Sequence, residues 1–302
     1  MKKIVSIGTL REDIVVEHDF SVPMKGMELK LNKLDKTVGG SVNNTCYYLA
    51  LNDSKVQVVL CTLNYADLVE IFSKRMYCIN YRISKTKEAL FHYPVSIIGL
   101  REDGEKQMIS YDPEIDDGLL VDLFKKEVID AELLYTSFYE INERNYDKIA
   151  EIFSEGISVG KTIMVDLCPV LDKLNDAVLK KILSCSTVVS GNENEFKIMT
   201  QMIGRDSVID VFSEFTTIER IYVKKGERGA CLYINDKKGK IDEIHIDGVR
   251  NSINKNTTGC GDVFNAVVLD GMCNKKDYVK TLECAVKESA KIAEGGLPWI
   301  RE

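Results

Sequence analysis

Six short apolar runs, Ile4 to Ile7, Val56 to Leu60, Leu133 to Tyr135, Thr162 to Val165, Thr187 to Val189 and Ile221 to Val223, constrain the fold more than any other feature. Each is too short for a helix and lacks the polar alternation of a half-solvated strand, so each reads as a strand covered on both faces. Between them lie stretches such as Asn142 to Phe153 and Ala177 to Leu183, whose apolar residues recur at three- and four-residue spacing and predict helices. Strands alternating with helices predict an α/β fold with a mostly parallel sheet between helices. With 302 residues, 45% of them hydrophobic, the chain can bury one sizeable core.

Two segments break this rhythm. Residues 13–38 and 88–111 mix polar and apolar positions around the turn signals Pro23-Met24-Lys25-Gly26 and Arg101-Glu102-Asp103-Gly104. They predict a small β-sheet lid inserted at the edge of the main sheet, with long surface hairpins as the alternative. No repeat, low-complexity tract or linker divides the chain, so residues 1–302 read as one domain. The last periodic segment, Lys275 to Ala293, closes at Gly295-Gly296 as a helix C-terminus should.

The net charge of -7 argues against nucleic acid or an anionic membrane as partner. Nine scattered cysteines, with no C-x-x-C pair and an odd total, fit a reducing compartment rather than a disulfide framework. His18, His92 and His245 are too dispersed for a zinc signature. The first apolar run stops at Arg11-Glu12-Asp13, too soon for a signal-peptide core, and no run is long enough to span a bilayer, so a cytoplasmic location is expected.

The stretch richest in chemistry runs from Asn256 to Val267, Asn-Thr-Thr-Gly-Cys-Gly-Asp-Val-Phe-Asn-Ala-Val. Gly259 and Gly261 bracket Cys260, and Asp262 follows at the start of an apolar helix. Glycines let consecutive amides turn inward, and a helix N-terminus adds unpaired N–H groups and the positive end of its dipole. An anion pocket with an adjacent carboxylate suits phosphoryl transfer, the amides holding charge on the moving group and the acid taking the nucleophile's proton. Alone, Asp262 is equally explained as a helix cap.

This stretch resembles the C-terminal signature of the ribokinase-like (PfkB-type) sugar and nucleoside kinases, usually Asp-Thr-x-Gly-Ala-Gly-Asp followed by a helix. Four other stretches agree with that family in order and spacing. Gly8 with Asp13 is similar to the glycine and substrate-binding aspartate after the family's first strand. Gly39-Gly40-Ser41-Val42-Asn43-Asn44 resembles its Gly-Gly-x-x-x-Asn signature, by which Gly39, Gly40 and Asn44 contact the substrate. Asn192-Glu193-Asn194-Glu195 resembles its Asn-x-x-Glu motif, which implies Asn192 and Glu195 as phosphate and Mg2+ residues, the metal held through water. Val223 to Ala230 resembles the family's strand-then-glycine turn beside the nucleotide, which implies Lys224, Gly226 and Gly229 as nucleotide-binding residues.

The resemblance implies a ribokinase-like three-layer sandwich with a small β-sheet lid, of the kind often used for dimerisation. It implies ATP and Mg2+, and transfer of the γ-phosphoryl group to a hydroxymethyl group of a sugar or sugar-like acceptor. Asp262 would be the general base, with Gly259, Cys260 and Gly261 as the anion hole.

Some positions depart from the family. Asn256 replaces the aspartate that relatives place near a monovalent cation, so that cation requirement is not carried over. Cys260 replaces alanine and adds a sulfur whose reactivity a helix N-terminus can raise. Lys224, where many relatives carry threonine, either reaches a phosphate or is merely solvated, the second being the simpler reading. Asp166-Leu167-Cys168-Pro169 lacks the asparagine and arginine of fructokinase and ketodeoxygluconate kinase relatives, which argues against their substrates. A nucleoside acceptor stacked on Phe91, Tyr93 or Tyr111 is the near alternative, and a non-catalytic ligand sensor the distant one. Neither a dinucleotide-binding Gly-x-Gly-x-x-Gly nor a Walker-type loop is present.

Overall fold

The computed structural model describes residues 2–16, 34–52, 56–63, 79–84, 94–100, 106–113, 117–249 and 257–295. The first third of the chain forms β1 (Lys2–Ile7), β2 (Arg11–Val16), β3 (Leu34–Gly39), α1 (Ser41–Asn52), β4 (Val56–Leu63), β5 (Asn80–Ser84), β6 (Val95–Leu100) and β7 (Lys106–Tyr111). The middle forms α2 (Asp117–Glu127), β8 (Leu133–Ser137), α3 (Tyr146–Ser158), β9 (Thr162–Asp166), α4 (Asp176–Ser184), β10 (Val188–Asn192), α5 (Glu193–Met202) and α6 (Val211–Glu214). Then come β11 (Arg220–Lys224), β12 (Ala230–Asn235), β13 (Ile241–Ile246), α7 (Cys260–Cys273) and α8 (Tyr278–Gly295).

Nine strands make one sheet in the order β13-β12-β11-β10-β9-β8-β1-β4-β5, parallel except for β12 and β13. All six apolar runs lie in it. Ile4, Val5, Leu134, Tyr135, Ile163, Val165, Val188, Val189 and Ile221 are fully buried, as expected for strands covered on both faces. Helices α1, α7 and α8 pack together on one side, while α2, α3 and α4 form the other layer with α5 against β10 and β11. Phe264 of α7 meets Tyr222 of β11 edge to face, 6.3 Å between ring centroids, which fixes the helix carrying Asp262 to the sheet. This is the three-layer α/β arrangement, with a smaller second sheet, that the resemblance implied.

Strands β5, β12 and β13 went unpredicted. In Ile241 to Ile246 polar residues alternate with half-buried isoleucines, so an edge strand there carries no continuous apolar run.

The second sheet is separate from the main one rather than an insertion into its edge. Its order is β3-β2-β6-β7, with β2 antiparallel to β3, β6 antiparallel to β7, and β2 and β6 joined in parallel. The two predicted turns, Pro23 to Gly26 and Arg101 to Gly104, lie outside the described residues. One face carries Arg11, Asp13, Ser96, Ile98 and Met108 into a cleft. On the other, Ile97 pairs across strands with Ile109, both exposed, beside exposed Leu34 and Tyr111.

Candidate active site

Parallel strands direct their carboxyl ends to one side of the sheet, and ligands of open α/β sheets collect there. Here β9, β10 and β11 end at Asp166, Asn192 and Lys224, and β1 and β8 lead to Thr9 and Glu140. These residues line a cavity of about 740 Å³ between the main sheet and the second sheet. Eight residues separated by sequence, Asp13, Gly40, Asn44, Asn192, Glu195, Lys224, Gly226 and Gly229, share it with the turn Gly259 to Asp262. Among the described residues singled out by sequence, Gly8, Gly39 and Tyr111 do not line it.

The turn before α7 is built as the glycines demand. Gly259 caps the helix in the left-handed region, φ 82°, and Asp262 lies in the first turn. The Asp262 carboxylate is fixed from α1: Ser41 Oγ donates to Oδ1 at 2.7 Å and Asn44 Nδ2 donates to Oδ2 at 2.9 Å. Two helix N-termini thus converge on one acid, and one of the hydrogen bonds of Asn44 goes to Asp262. Asn44 Oδ1 is buried with no donor among the described residues. Gly40 has φ 103°, and a Cβ there would lie 2.3 Å from the Thr9 carbonyl oxygen. Gly39 lies against Asp13: a Cβ there would fall 1.8 Å from Asp13 Oδ2.

Behind α7, four fully buried polar side chains make a chain of contacts. Ser190 Oγ donates to Asn265 Oδ1 at 2.7 Å, Asn265 Nδ2 donates to the Tyr135 hydroxyl at 3.3 Å, and that hydroxyl meets Thr45 Oγ1 at 3.3 Å. The network ties α1, β8, β10 and α7 together one turn below Asp262, where no water competes for these groups.

Asn192 and Glu195 form a capping box. Asn192 Oδ1 accepts from the Glu195 amide at 2.9 Å, and Glu195 Oε2 accepts from the Asn192 amide at 2.8 Å. Among the described residues no three of His, Cys, Asp and Glu gather as a metal centre. The Glu195 carboxylate and the Asn192 amide are hard oxygen donors of the kind that would hold a magnesium ion through its water shell.

Lys224 is not the solvated lysine that the sequence suggested. Its ammonium donates to Asp166 Oδ1 at 2.8 Å with both side chains largely buried. Burial alone would lower its pKa, but the carboxylates of Asp166, Glu195 and Asp262 outweigh that and hold it above the ordinary lysine value. The next turn brings β13 close: a Cβ on Gly229, φ 87°, would lie 1.9 Å from the Ile246 carbonyl oxygen.

Residues that sequence reasoning passed over include Thr9, Arg11, Tyr139, Glu140, Asn142 and Arg144, all lining the cavity. Glu140 accepts from Thr9 Oγ1 at 2.5 Å, and burial pushes its carboxyl above the ordinary value despite that bond. Arg11 reaches Ser96 Oγ at 3.1 Å and pairs with Asp112. No motif marks these positions; they enter because they follow strand ends.

A parallel sheet with a cleft at its carboxyl edge, closed by a second sheet and floored by a glycine turn beside an acid, defines a sugar or nucleoside kinase of the ribokinase type. Residues 85–295 match the model of the pfkB family carbohydrate kinases, and the chain belongs to that family of phosphotransferases with an alcohol group as acceptor. Among curated proteins it is similar to the uncharacterized sugar kinase YegV of Escherichia coli K12, 22% identical over 290 residues, 90% of this chain and 83% of that protein. Among solved structures it is similar to the nucleoside kinase of Burkholderia thailandensis in complex with inosine, with TM-score 0.78, 17% identity and coverage of 98% of this chain and 94% of that one. The ribokinase of Thermotoga maritima gives TM-score 0.76, 17% identity and coverage of 99% and 97%.

Proposed function

We propose that the protein transfers the γ-phosphoryl group of ATP to a hydroxymethyl group of a sugar or sugar-like acceptor, with Asp262 as general base. The carrying observation is the Asp262 carboxylate, fixed through both oxygens by Ser41 and Asn44 beside the turn Gly259 to Gly261. An acceptor gripped by Asp13, Gly40 and Asn44 would present its hydroxyl to Asp262, which takes the proton as the new O–P bond forms and the bond to ADP breaks. Amides of Gly259, Cys260 and Gly261 would hold charge on the transferring group. Magnesium, when bound through water near Asn192 and Glu195, would neutralise phosphate charge. Lys224, Gly226 and Gly229 flank the nucleotide end, and Val286, Ala290 and Ala293 of α8 give that end an apolar wall.

The second reading is a nucleoside acceptor, favoured by the likeness to a nucleoside kinase solved with inosine. Aromatic stacking does not supply it: Tyr111 is exposed and does not line the cavity, while Phe91 and Tyr93 lie outside the described residues. For the assembly we propose a dimer through the outer face of the second sheet, where Leu34, Ile97, Ile109 and Tyr111 expose apolar surface.

The deciding experiment measures ADP release from Mg-ATP over a panel of sugars, ketoses and nucleosides, with Asp262→Ala alongside. Turnover on one acceptor, reduced about 10²- to 10⁴-fold in the variant, is expected. A variant as active as wild type would remove Asp262 from the mechanism.

A further inference from the structure

Lys224 is a cation at the floor of the cleft, which Arg11 and Arg144 also line. It stands at the end of β11, and its Nζ is 2.8 Å from Asp166 Oδ1 at the end of β9, with β10 between them. A Cβ built on Gly261 would lie 3.4 Å from Lys224 Nζ, so the ammonium faces the turn whose amides the proposed mechanism gives to the transferring group. Three acids, Asp166, Glu195 and Asp262, act on it. A lysine on a flexible stem beside a glycine turn is a point charge able to change partners without moving the backbone.

We propose that Lys224 carries positive charge to the γ-phosphate of the bound nucleotide, and that Asp166 is the positioning residue that keeps its ammonium there when the cleft holds no phosphate. The inference rests on the kinase reading. An acid-rich cleft would otherwise repel a polyanion, and a lysine shared between Asp166 and the incoming phosphate removes that repulsion where phosphoryl transfer occurs. Asp166 contributes only through Lys224: with its partner fixed, the ammonium does not fold back to Glu195 or Asp262.

The test compares Mg-AMP-PNP, which has a γ-phosphoryl group, with Mg-ADP, which lacks one, by titration calorimetry on the full chain. Lys224→Met should weaken AMP-PNP about 10- to 100-fold, the worth of a hydrogen bond to a charged group, and ADP less than about threefold. Asp166→Asn should weaken AMP-PNP less, and the double variant Asp166→Asn/Lys224→Met should match Lys224→Met alone. The double variant also removes both buried charges together, so it retains the fold if either single variant loses it. Equal loss for both nucleotides, unchanged AMP-PNP binding, or additive losses in the double variant would overturn the proposal. Wild type that binds neither nucleotide would instead sink the kinase reading itself.

Discussion

Gly39→Ala separates packing from acceptor binding. Gly39 ends β3 opposite Arg11, and a Cβ added there would sit 1.8 Å from Asp13 Oδ2 and 2.5 Å from its Cγ. Ordinary contact begins near 3.5 Å, so the Asp13 carboxylate must withdraw by roughly 1.5 Å. A hydrogen bond from an acceptor hydroxyl to a carboxylate is worth about 1.5–3 kcal/mol, and losing it costs about 10- to 150-fold in kcat/KM. The fold should hardly notice. What moves is the far end of a side chain rather than backbone. The assay is kcat/KM for the acceptor in a coupled ADP-release reaction, with a thermal melt of the same sample. Gly39→Ala should reproduce Asp13→Ala, and the double variant should be no worse than either single one. If Asp13→Ala loses activity while Gly39→Ala stays within about twofold of wild type, or if Gly39→Ala melts more than about 8 °C early, the reasoning fails.

Gly40→Ala combines a left-handed backbone, φ 103°, with a Cβ 2.3 Å from a carbonyl oxygen, and should cost more than about 3 kcal/mol in urea unfolding; Gly160→Ala, φ 80° with nothing within 4 Å, should cost only about 1–2 kcal/mol. Glu140 has a folded pKa above its ordinary 4.5, so its protonated form favours folding and wild type loses that stability as pH rises through the folded value; Glu140→Gln should flatten this slope above pH 4.5, read from melts across pH. Peptide mapping after brief alkylation at pH 8 should find exposed Cys284 and cleft-lining Cys260 labelled, with Mg-ATP protecting Cys260 alone, while Cys46, Cys61 and Cys185, whose thiols burial pushes up to about 12, stay unlabelled. Labelling of those three in the native protein would refute the burial argument.

The turn before α7 was legible in the sequence because its left-handed backbone at Gly259, φ 82°, favours glycine, and the demand is local. Six of the seven inner strands, all but β12, were legible for a similar reason: burial on both faces forces continuous apolar runs. The edge strand β13 escaped because a half-solvated strand needs no such run. Partnerships escaped for a different reason. Asn44 and Asp262 are 218 positions apart and Lys224 and Asp166 58, and each pair meets because the order of elements in space is not their order in the chain. Glu140 carries no motif, and its place in the cleft follows only from β8 lying beside β1 and β9.

The cleft is divided between two sheets. Arg11, Asp13 and Ser96 reach it from the smaller sheet, whereas Asn192, Lys224 and the turn Gly259 to Asp262 belong to the larger one and its helices. On the proposed roles, Asp13 of the smaller sheet holds the acceptor together with Gly40 and Asn44 beside the larger one, and among the described residues no strand of the smaller sheet is hydrogen-bonded to one of the larger. Mutations can therefore drift through the smaller sheet and change the preferred acceptor while the transfer apparatus stays as it is.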